Sequence, residues 1–451
     1  IEAGGESTGI VFSGVPGGHE FNSFMLAVLN NAGTPVKLDD ALKAIIENVG
    51  DSLSFETVVS LSCHNCPDVV QTLNQFASLN ANISSEMIDG GSYSEVVDAR
   101  NIQGVPAVFL NGEPFAHGKI DTATIIEKLL AAYPDIASKG ATEAEQLPLQ
   151  DVAIIGGGPA GVSAAIYAAR KGFAVTVIAE RFGGQVKDTM GIENLVSVPQ
   201  TTGPEVVKGL LEHLQDYDIT LKEHLRVDHI ESGDIKTLTL SSGEVIRARS
   251  IIVATGANWR ELGIPGEKEY IGNGVAYCPH CDGPFFKGKD VAVVGGGNSG
   301  IEAAIDLSGI VRHVPVLEFL PELKADKILV EKAMERDNIT IITNAASKEI
   351  SATDGKVSSI DYEDRESGEL HSLDLSAVFV QIGLVPNSGF LKGVVDLPEY
   401  GEVIINDKAE TSEPVILACG DVTTTPYKQI VVSLGEGSKA ALTTFEYLVM
   451  H

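Results

Sequence analysis

The sequence is poor in basic residues. Its 32 lysines and arginines stand against 62 acidic residues, for a formal net charge of −30. So negative a chain is repelled by a nucleic-acid backbone and by an anionic membrane surface. We therefore expect no nucleic-acid partner and no membrane partner.

Cysteine is also scarce, and the chain lacks a long apolar run that is free of helix breakers. Five cysteines in 451 residues do not make a disulfide scaffold. Segment 152–169 has 18 uncharged residues, but it contains Gly156-Gly157-Gly158-Pro159 and is interpreted as a strand turning into a helix. The chain starts with Ile1, and no basic-then-apolar leader follows. We expect a fragment without an export signal that works in a reducing, cytoplasmic compartment.

Two CxxC pairs are the most informative feature that the chain does contain. They are Cys63-His64-Asn65-Cys66 and Cys278-Pro279-His280-Cys281. At 451 residues, with 47 glycines and 44% apolar residues, the chain exceeds what one core organises, so we expect three or more structural units. Two glycine-rich loops bracket the second pair, which is the arrangement expected of an electron relay that reduces disulfides.

The segment around the first pair has the element order of a thioredoxin-like fold. Residues 54–62 are predicted to form a buried strand, and apolar residues after Cys63 repeat at helical spacing. Strands near 83–89 and over 107–110, followed by a helix from 121 to 130, complete the order βαβ then ββα. Pro106 lies where such folds place a cis proline beside the disulfide. We predict a thioredoxin-like redox domain over 41–133.

The position of each cysteine indicates its role. Cys63 opens the helix, whose N-terminal dipole favours a thiolate, so it is the candidate outward-facing nucleophile. Cys66, one turn further on, is the candidate buried, resolving cysteine. His64 and Asn65 either tune this pair or face solvent with a structural role. A zinc site made from both pairs is not expected, because the pairs lie 215 residues apart in different domains, and we predict no metal.

Residues 10–33 echo the end of the redox domain. The segment 10–16, Gly18 and the helical 24–29 correspond to 107–114, Gly118 and the helix that follows. We interpret 1–40 as part of a first thioredoxin-like fold; a decorated N-terminal hairpin is the alternative. Residues 134–150 show no sustained period and are predicted to be a linker that lets the front domain move.

The first glycine loop follows the predicted strand 152–155 and opens a helix. Gly156, Gly158 and Gly161 match the dinucleotide-binding fingerprint in that context, and backbone amides at the helix start would hold a pyrophosphate. Glu180 ends the next strand, 24 residues after Gly156, where it could bind a ribose hydroxyl. A dinucleotide is therefore expected here.

The second loop repeats this pattern with Gly295, Gly297 and Gly300, so 151–451 is predicted to be a doubly wound α/β fold built twice. Glu318 lies 23 residues after Gly295, at the end of the next strand. An acid at this point pairs with a free 2′-hydroxyl and repels a 2′-phosphate, so NADH is favoured over NADPH. The alternative is that Glu318 is a solvated strand end.

Two further residues near these motifs are candidates for opposite roles. Asp282 directly follows the second pair and could protonate a leaving thiolate or the reduced flavin; a helix or turn cap is the alternative. Cys419 stands alone in the apolar segment 415–419 and is predicted to be a buried small hydrophobe.

Several motifs together resemble a known family. Ala254-Thr255-Gly256, the segment 278–283 and Gly420-Asp421 occur in the order seen in low-molecular-weight thioredoxin reductases, over about 151–451. The front domain, the stretch 180–185 and Glu318 in place of the reductases' arginine-rich phosphate site are similar to the flavoprotein components of alkyl hydroperoxide reductases. This resemblance spans nearly the whole chain.

The resemblance implies FAD bound by a domain over 151–262 and 382–451, and NADH bound by a domain over 263–381 that carries the second cysteine pair. In this family the second cysteine of that pair, here Cys281, faces the flavin, and Cys278 attacks the front-domain disulfide. The cofactor-binding residues implied are Gly156, Gly158, Gly161, Glu180, Gly184, Gln185, Asn194, Thr255, Gly256, Gly420, Asp421 and Gln429 for FAD, and Gly295, Gly297, Gly300 and Glu318 for NADH.

The same resemblance implies that Cys63 reduces a peroxiredoxin, the peroxidase component of alkyl hydroperoxide reductase, and that the protein is a homodimer. It makes Glu20 the candidate acidic residue beside the redox pair, and it implies that the NAD-binding domain rotates. Alternatives are a general thioredoxin-type disulfide reductase, a hydrogen peroxide-forming NADH oxidase and a non-catalytic redox sensor. Two nucleotide loops argue against the sensor.

Overall fold

The computed structural model describes residues 1–63, 66–100, 102, 105–117, 120–133, 147–189 and 192–450, without the side chains of Asp188, His280 and Cys281. The predictions for His64 and Asn65, for most of the linker 134–150 and for the sulfur of Cys281 therefore lie outside the described residues. No helix in the described ranges is long and apolar enough to cross a membrane.

The N-terminal part contains one five-stranded sheet in the order β3-β5-β4-β6-β7, in which the first three strands run parallel. Apolar residues of the helix that starts at Cys66 pack under this sheet, as their helical spacing predicts. The strands of this part are β1 Glu2–Ala3, β2 Glu6–Ser7, β3 Ile10–Ser13, β4 Leu53–Val59, β5 Ile83–Asp89, β6 Ala107–Leu110 and β7 Glu113–His117, and its helices are α1 Phe21–Asn31, α2 Asp40–Glu47, α3 Cys66–Leu79, α4 Ser94–Ala99 and α5 Thr122–Ala132.

The N-terminal segment shares the sheet of the redox domain. Strand β3 pairs in parallel with β5 along its whole length, from Ile10 opposite Ser85 to Ser13 opposite Ile88. Helix α1 lies against α3, where Gln71 donates a hydrogen bond to Ser23. Residues 10–31 are thus built into the same sheet and packing as 41–133. The boundary at residue 40 and the origin of this segment in a preceding fold stay predictions.

The first glycine loop leads into a larger sheet in the order β10-β9-β8-β13-β12-β11, with β24 added beside β13. The segment 152–169 is a strand followed by a helix, as predicted, and not one continuous helix. The elements are β8 Gln150–Ile155, α6 Pro159–Ala169, β9 Val175–Ala179, α7 Gly203–Gln215, β10 Ile219–Glu223, β11 Val227–Glu231, β12 Lys236–Leu240, β13 Val245–Val253 and β14 Ala257–Trp259.

The second glycine loop belongs to a separate parallel sheet in the order β15-β22-β16-β17-β18, flanked by an antiparallel sheet of β19, β20 and β21. The elements are β15 Val275–Ala276, α8 Pro279–Asp282, β16 Val291–Val294, α9 Asn298–Ser308, β17 Val314–Leu317, α10 Lys327–Met334, β18 Ile339–Ile342, β19 Ala345–Thr353, β20 Lys356–Asp364, β21 Leu370–Asp374 and β22 Ala377–Val380.

The chain then returns to the first nucleotide-binding sheet. The returning elements are β23 Leu384–Pro386, β24 Ile416–Ala418 and α11 Ile430–Met450, with short 3-10 turns at Gly18–Glu20, Gly184–Asp188, Gly283–Phe286, Gly389–Leu391 and Gly420–Val422. Outgoing strand β14 and returning strand β23 pair antiparallel, with Ala257 opposite Pro386 and Trp259 opposite Leu384. This pair of strands, here called the hinge ribbon, connects the parts that carry the first and the second glycine loop, and the domain boundaries at 262/263 and 381/382 stay predictions.

A buried ion cluster joins the front domain to the part that carries the first glycine loop. Lys222 Nζ lies 3.2 Å from Asp39 Oδ2 and 2.9 Å from Glu244 Oε1, and all three side chains are at most 9% exposed. Burial alone lowers the pKa of Lys222, but the two carboxylates outweigh it and the net direction is upward. Two exposed ion pairs likewise join a basic residue of the part with the first glycine loop to an acidic residue of the front domain. They are Arg226 with Glu127 at 3.0 Å and Lys187 with Asp68 at 3.6 Å.

We predict that Lys222→Met destabilises the docked front domain by roughly 3–5 kcal/mol, because it leaves two buried carboxylates without their cation. Urea denaturation followed by circular dichroism measures the effect. Lys208→Met is the matched control, since Lys208 and Glu212 form an exposed pair at 3.7 Å and its loss changes stability by no more than about 0.5 kcal/mol. Equal denaturation midpoints for the two variants would contradict the prediction.

Candidate active site

The first glycine loop forms a cradle for a phosphate group. Gly156 has φ +116°, and a Cβ there would collide with the carbonyl oxygen of Ala254; a Cβ on Gly161 would collide with the oxygen of Gly156. Gly158 is the N-cap of α6, with no side-chain cap and no atom near the place of a Cβ. The free amides of the helix start therefore face open space, which suits a pyrophosphate.

Glu180 lies at the end of β9, beside this cradle. Burial raises the pKa of its carboxyl, and the nearby carboxylate of Asp121 from the front domain raises it further. Leu225 donates its backbone N–H to the carbonyl oxygen of Ala179, so the strand ends of β9 and β10 meet here. From the end of β9, where Glu180 lines the cavity, its carboxylate can accept hydrogen bonds from ribose hydroxyls.

Most of the remaining predicted FAD residues line the same open space, whereas Gly420 is not among its lining residues. Gly420 has φ +75° and precedes Asp421, whose pKa is raised by burial and which accepts a hydrogen bond from Ser433 at 3.2 Å. Asn194 donates to Gln429 at 3.1 Å. One cavity of about 3220 Å³ is lined by Gly156, Gly158, Glu180, Gly184, Gln185, Asn194, Thr255, Gly256, Asp421 and Gln429 among others. The cavity is larger than one extended dinucleotide needs, and its glycine amides, carboxylates and side-chain amides supply the hydrogen-bonding groups that a dinucleotide requires.

The first cysteine pair opens onto this cavity. Cys63 and Cys66 form a disulfide; Cys66 is fully buried, whereas Cys63 is partly exposed and lines the cavity. The backbone N–H of Cys66 donates to the sulfur of Cys63 at 3.1 Å, as expected at the start of a helix. The Val105–Pro106 bond is cis, and the carbonyl oxygen of Val105 lies 3.9 Å from the sulfur of Cys63.

One cysteine of the second pair also borders this cavity. Cys278 lines the cavity and directly precedes α8. Asp282 also lines it, and its backbone N–H donates to the carbonyl oxygen of Cys278 at 3.0 Å. Burial raises the pKa of the Asp282 carboxyl to about 6. The structure therefore brings Cys63, Cys278 and Asp282 to the space that the first glycine loop borders.

The second glycine loop forms its own cradle. Gly295 has φ +123°, a Cβ on Gly300 would collide with the oxygen of Gly295, and Gly297 is an uncapped N-cap. Buried Glu318 accepts hydrogen bonds from the backbone N–H of Gly296 and, at 2.8 Å, of Leu320. The described lining of the large cavity includes the first loop and not this one, so the two cradles are separate sites.

Two further candidates are fully buried. Cys419 is fully buried and free, and burial raises the pKa of its thiol, which agrees with a small hydrophobe. Glu20 is fully buried, and burial raises the pKa of its carboxyl against the opposing effect of Ser23. His19 donates its backbone N–H to Leu61 at 3.2 Å, which places this turn beside the segment that leads into Cys63.

Sequence reasoning missed a network that links the hinge ribbon to the second cysteine pair. Buried Glu267 accepts hydrogen bonds from the backbone N–H groups of Leu262 and Gly263 and from the Tyr277 hydroxyl, at 2.9, 2.7 and 2.9 Å. Trp259 of β14 stacks on Tyr277, with ring centroids 6.1 Å apart. The available signals were the chain's single tryptophan and a tyrosine directly before Cys278.

Comparison with known families agrees with this architecture. Residues 150–437 match the model of the pyridine nucleotide-disulphide oxidoreductase family, and residues 56–131 match a thioredoxin domain. Among solved structures, a thioredoxin reductase from Streptococcus pyogenes is 36% identical with a TM-score of 0.64, covering 67% of this chain and 99% of its own. A thioredoxin reductase from Giardia duodenalis is 32% identical with a TM-score of 0.65, covering 67% and 100%.

Curated relatives match over nearly the full chain. A protein of Bacillus subtilis named NADH dehydrogenase is 49% identical over 99% of this chain and 86% of its own length. The F component of alkyl hydroperoxide reductase from Escherichia coli is 47% identical with the same coverage. The chain therefore belongs to the pyridine nucleotide-disulphide oxidoreductase family, as a flavin-dependent disulfide oxidoreductase that uses FAD and a nicotinamide nucleotide and carries a thioredoxin-like domain in front.

Proposed function

We propose that this enzyme takes electrons from NADH and passes them through FAD, the Cys278/Cys281 pair and the Cys63/Cys66 pair to the disulfide of a separate peroxiredoxin. One observation carries this proposal. Cys63 and Cys278 line a single cavity together with the first glycine loop. A general disulfide reductase without the front domain does not need that arrangement.

The partner is proposed from the relatives. Several of them, in Pseudomonas, Escherichia and Staphylococcus, are named as the F component of alkyl hydroperoxide reductase, a name that implies at least one further component. The exposed Cys63 edge of the front domain suits attack on a disulfide of a separate protein. We also propose, from the family resemblance and from cysteine usage, that the protein is a cytoplasmic homodimer.

The choice of NADH depends on Glu318. Its carboxylate lies against the second glycine loop at the end of β17, where it would accept hydrogen bonds from the 2′- and 3′-hydroxyls of a ribose. A 2′-phosphate placed there would lie next to a carboxylate in a partly buried site. The repulsion between the two anions favours NADH over NADPH.

The residues of the chain divide the redox work by position. Bound FAD would supply two-electron chemistry between the nicotinamide and the second cysteine pair. Cys278, as a thiolate, attacks the Cys63–Cys66 disulfide; a new disulfide bond joins Cys278 to one sulfur of that pair, and the other sulfur leaves as a thiolate and takes a proton. Asp282 donates its backbone N–H to the carbonyl oxygen of Cys278 and lines the same cavity, so its carboxyl group is positioned to supply that proton.

A second candidate function is an NADH oxidase that passes electrons from FAD to oxygen without the front domain. The relative named NADH dehydrogenase favours it. The two functions differ in their need for Cys63 and Cys66, so a variant that lacks both cysteines separates them.

We predict that NADH, under anaerobic conditions, bleaches the flavin absorbance faster than NADPH does, and that an oxidised two-cysteine peroxiredoxin then restores it. In the double variant Cys63→Ser, Cys66→Ser bleaching persists, but restoration by the peroxiredoxin falls by at least about 100-fold, because the outgoing thiol pair is missing. Stopped-flow absorbance measures both phases.

Cys419→Ala is the control for this experiment, because Cys419 is buried and away from both pairs. It should keep both phases. Full restoration in the double variant would refute the relay through the front domain, and loss of bleaching as well would point to a folding defect, which a melting curve detects.

We predict a pH dependence set by Asp282. Its pKa of about 6 exceeds the ordinary value of 3.8, so the carboxyl is largely protonated at pH 5 and only roughly one-tenth protonated at pH 7. Disulfide-linked turnover should therefore fall as pH rises through 6, and Asp282→Asn should flatten the profile between pH 5 and 8. Initial rates measured across this range test it, with exposed Asp337→Asn as the control.

The raised pKa of Asp282 also makes the stability of the folded state depend on pH. The folded state holds the Asp282 proton more tightly than the unfolded state, so ionisation costs stability as pH rises from about 4 to about 6. Asp282→Asn should gain stability relative to the native protein over that interval. A retained midpoint near 6 in the activity profile of the variant would assign the titration to another group.

We predict that the NAD-binding part moves about the hinge ribbon, because the two glycine cradles are separate sites. Trp259 is the chain's single tryptophan and stacks on Tyr277 at this hinge, so saturating NAD⁺ should change its fluorescence. Trp259→Phe should abolish the signal and serves as the control. Emission that stays constant while NAD⁺ binds would argue against rotation at this hinge.

A further inference from the structure

An exposed aromatic ring stands next to the ribose acid of the second nucleotide site. Phe319 follows Glu318 directly, after the end of β17, and is 54% exposed. The guanidinium carbon of Arg365 lies 3.8 Å above the centre of its ring. The ring therefore stands at the surface beside Glu318 with a cation over one face.

Backbone hydrogen bonds from three segments hold this pair in place. Arg365 Nη1 donates to the carbonyl oxygen of Phe319 at 2.8 Å, and its backbone N–H donates to Asn344 at 2.8 Å. Asn344 donates to Leu320 at 3.0 Å, and Leu320 donates to the carboxylate of Glu318 at 2.8 Å. The guanidinium plane is therefore fixed relative to the ribose acid.

We propose that Phe319 and Arg365 form a stacking platform for the adenine base of NADH, next to the ribose held by Glu318. This inference rests on the proposed use of the second glycine loop for NADH. Adenine is attached to the same ribose that the strand-end acid binds, so it lies just beyond that acid at the sheet edge. Aromatic rings and guanidinium planes are the protein groups that stack on bases.

Arg365 is a stacking group here and not a receptor for a 2′-phosphate. Its Nη1 donates to the carbonyl oxygen of Phe319, and its guanidinium carbon lies 3.8 Å from the centre of the ring. The carboxylate of Glu318, one residue before Phe319, repels a phosphate at the ribose. The platform therefore recognises the base, while Glu318 selects the unphosphorylated ribose.

The test measures equilibrium binding of NAD⁺, AMP and nicotinamide mononucleotide to the full-length FAD-loaded protein by calorimetry, without turnover. Arg365→Ala and Phe319→Ala should each weaken NAD⁺ and AMP by roughly 5- to 100-fold and leave nicotinamide mononucleotide unchanged. Arg365→Lys keeps the charge but lacks the plane, so it should not rescue binding. Arg336→Ala, another exposed arginine of the same part, should bind all ligands normally.

Unchanged AMP binding in both alanine variants would overturn the platform and leave the NADH site itself intact. Full rescue of NAD⁺ and AMP binding by Arg365→Lys would also overturn it, by showing that Arg365 acts as a charge. If the unaltered protein binds neither NAD⁺ nor AMP, the proposed function and the platform fail together.

Discussion

Thiol–disulfide exchange requires one sulfur to touch another, and this requirement governs how the parts of the chain are joined. The two cysteine pairs belong to separate sheets, yet Cys63 and Cys278 line one cavity with the first glycine loop. The buried cluster of Asp39, Lys222 and Glu244 holds the front domain on the side of that cavity. Docking is therefore part of the site, since without it the front-domain disulfide would have no fixed approach to Cys278.

The second glycine loop, proposed as the NADH site, lies apart from this cavity. Its cradle at Gly295–Gly300 belongs to a sheet that is connected to the rest by the hinge ribbon, and the described lining of the large cavity does not include it. The proposed relay nevertheless requires one flavin to meet both the nicotinamide that donates electrons and the second cysteine pair that accepts them. Glu267 accepts from the backbone N–H of Gly263, a few residues after the outgoing strand of the ribbon, and from the Tyr277 hydroxyl. The Tyr277 carbonyl oxygen accepts from Gln381 at 2.8 Å, just before the returning strand, so the residue before Cys278 is bonded to segments that adjoin both strands of the ribbon. The rotation proposed above would then exchange the nicotinamide for the second cysteine pair at the flavin.

Local patterns in the sequence predicted much of this structure. The strand, glycine loop and helix order located both cradles, and Pro106 and Cys63 were placed correctly because a thioredoxin-like fold ties them to its element order. Contacts between distant segments were beyond such patterns. Nothing near Asp39 indicates that it pairs with Lys222, and β3 joins the sheet by parallel pairing with β5, which periodicity does not reveal. Tyr277 was missed because its partner Glu267 matters through burial, which spacing does not predict.

The charge of the chain gives the docking contacts a particular character. Because the chain has 62 acidic and 32 basic residues, two domain surfaces of average composition repel each other. A contact between domains therefore needs basic residues on one of its two sides. The part with the first glycine loop contributes Lys187, Lys222 and Arg226, and each of them pairs with an acidic residue of the front domain. The exposed pairs weaken with salt, whereas the buried Lys222 is screened much less. The front domain is thereby held by one buried ion cluster, which salt weakens little, and by two exposed ion pairs, which salt weakens more.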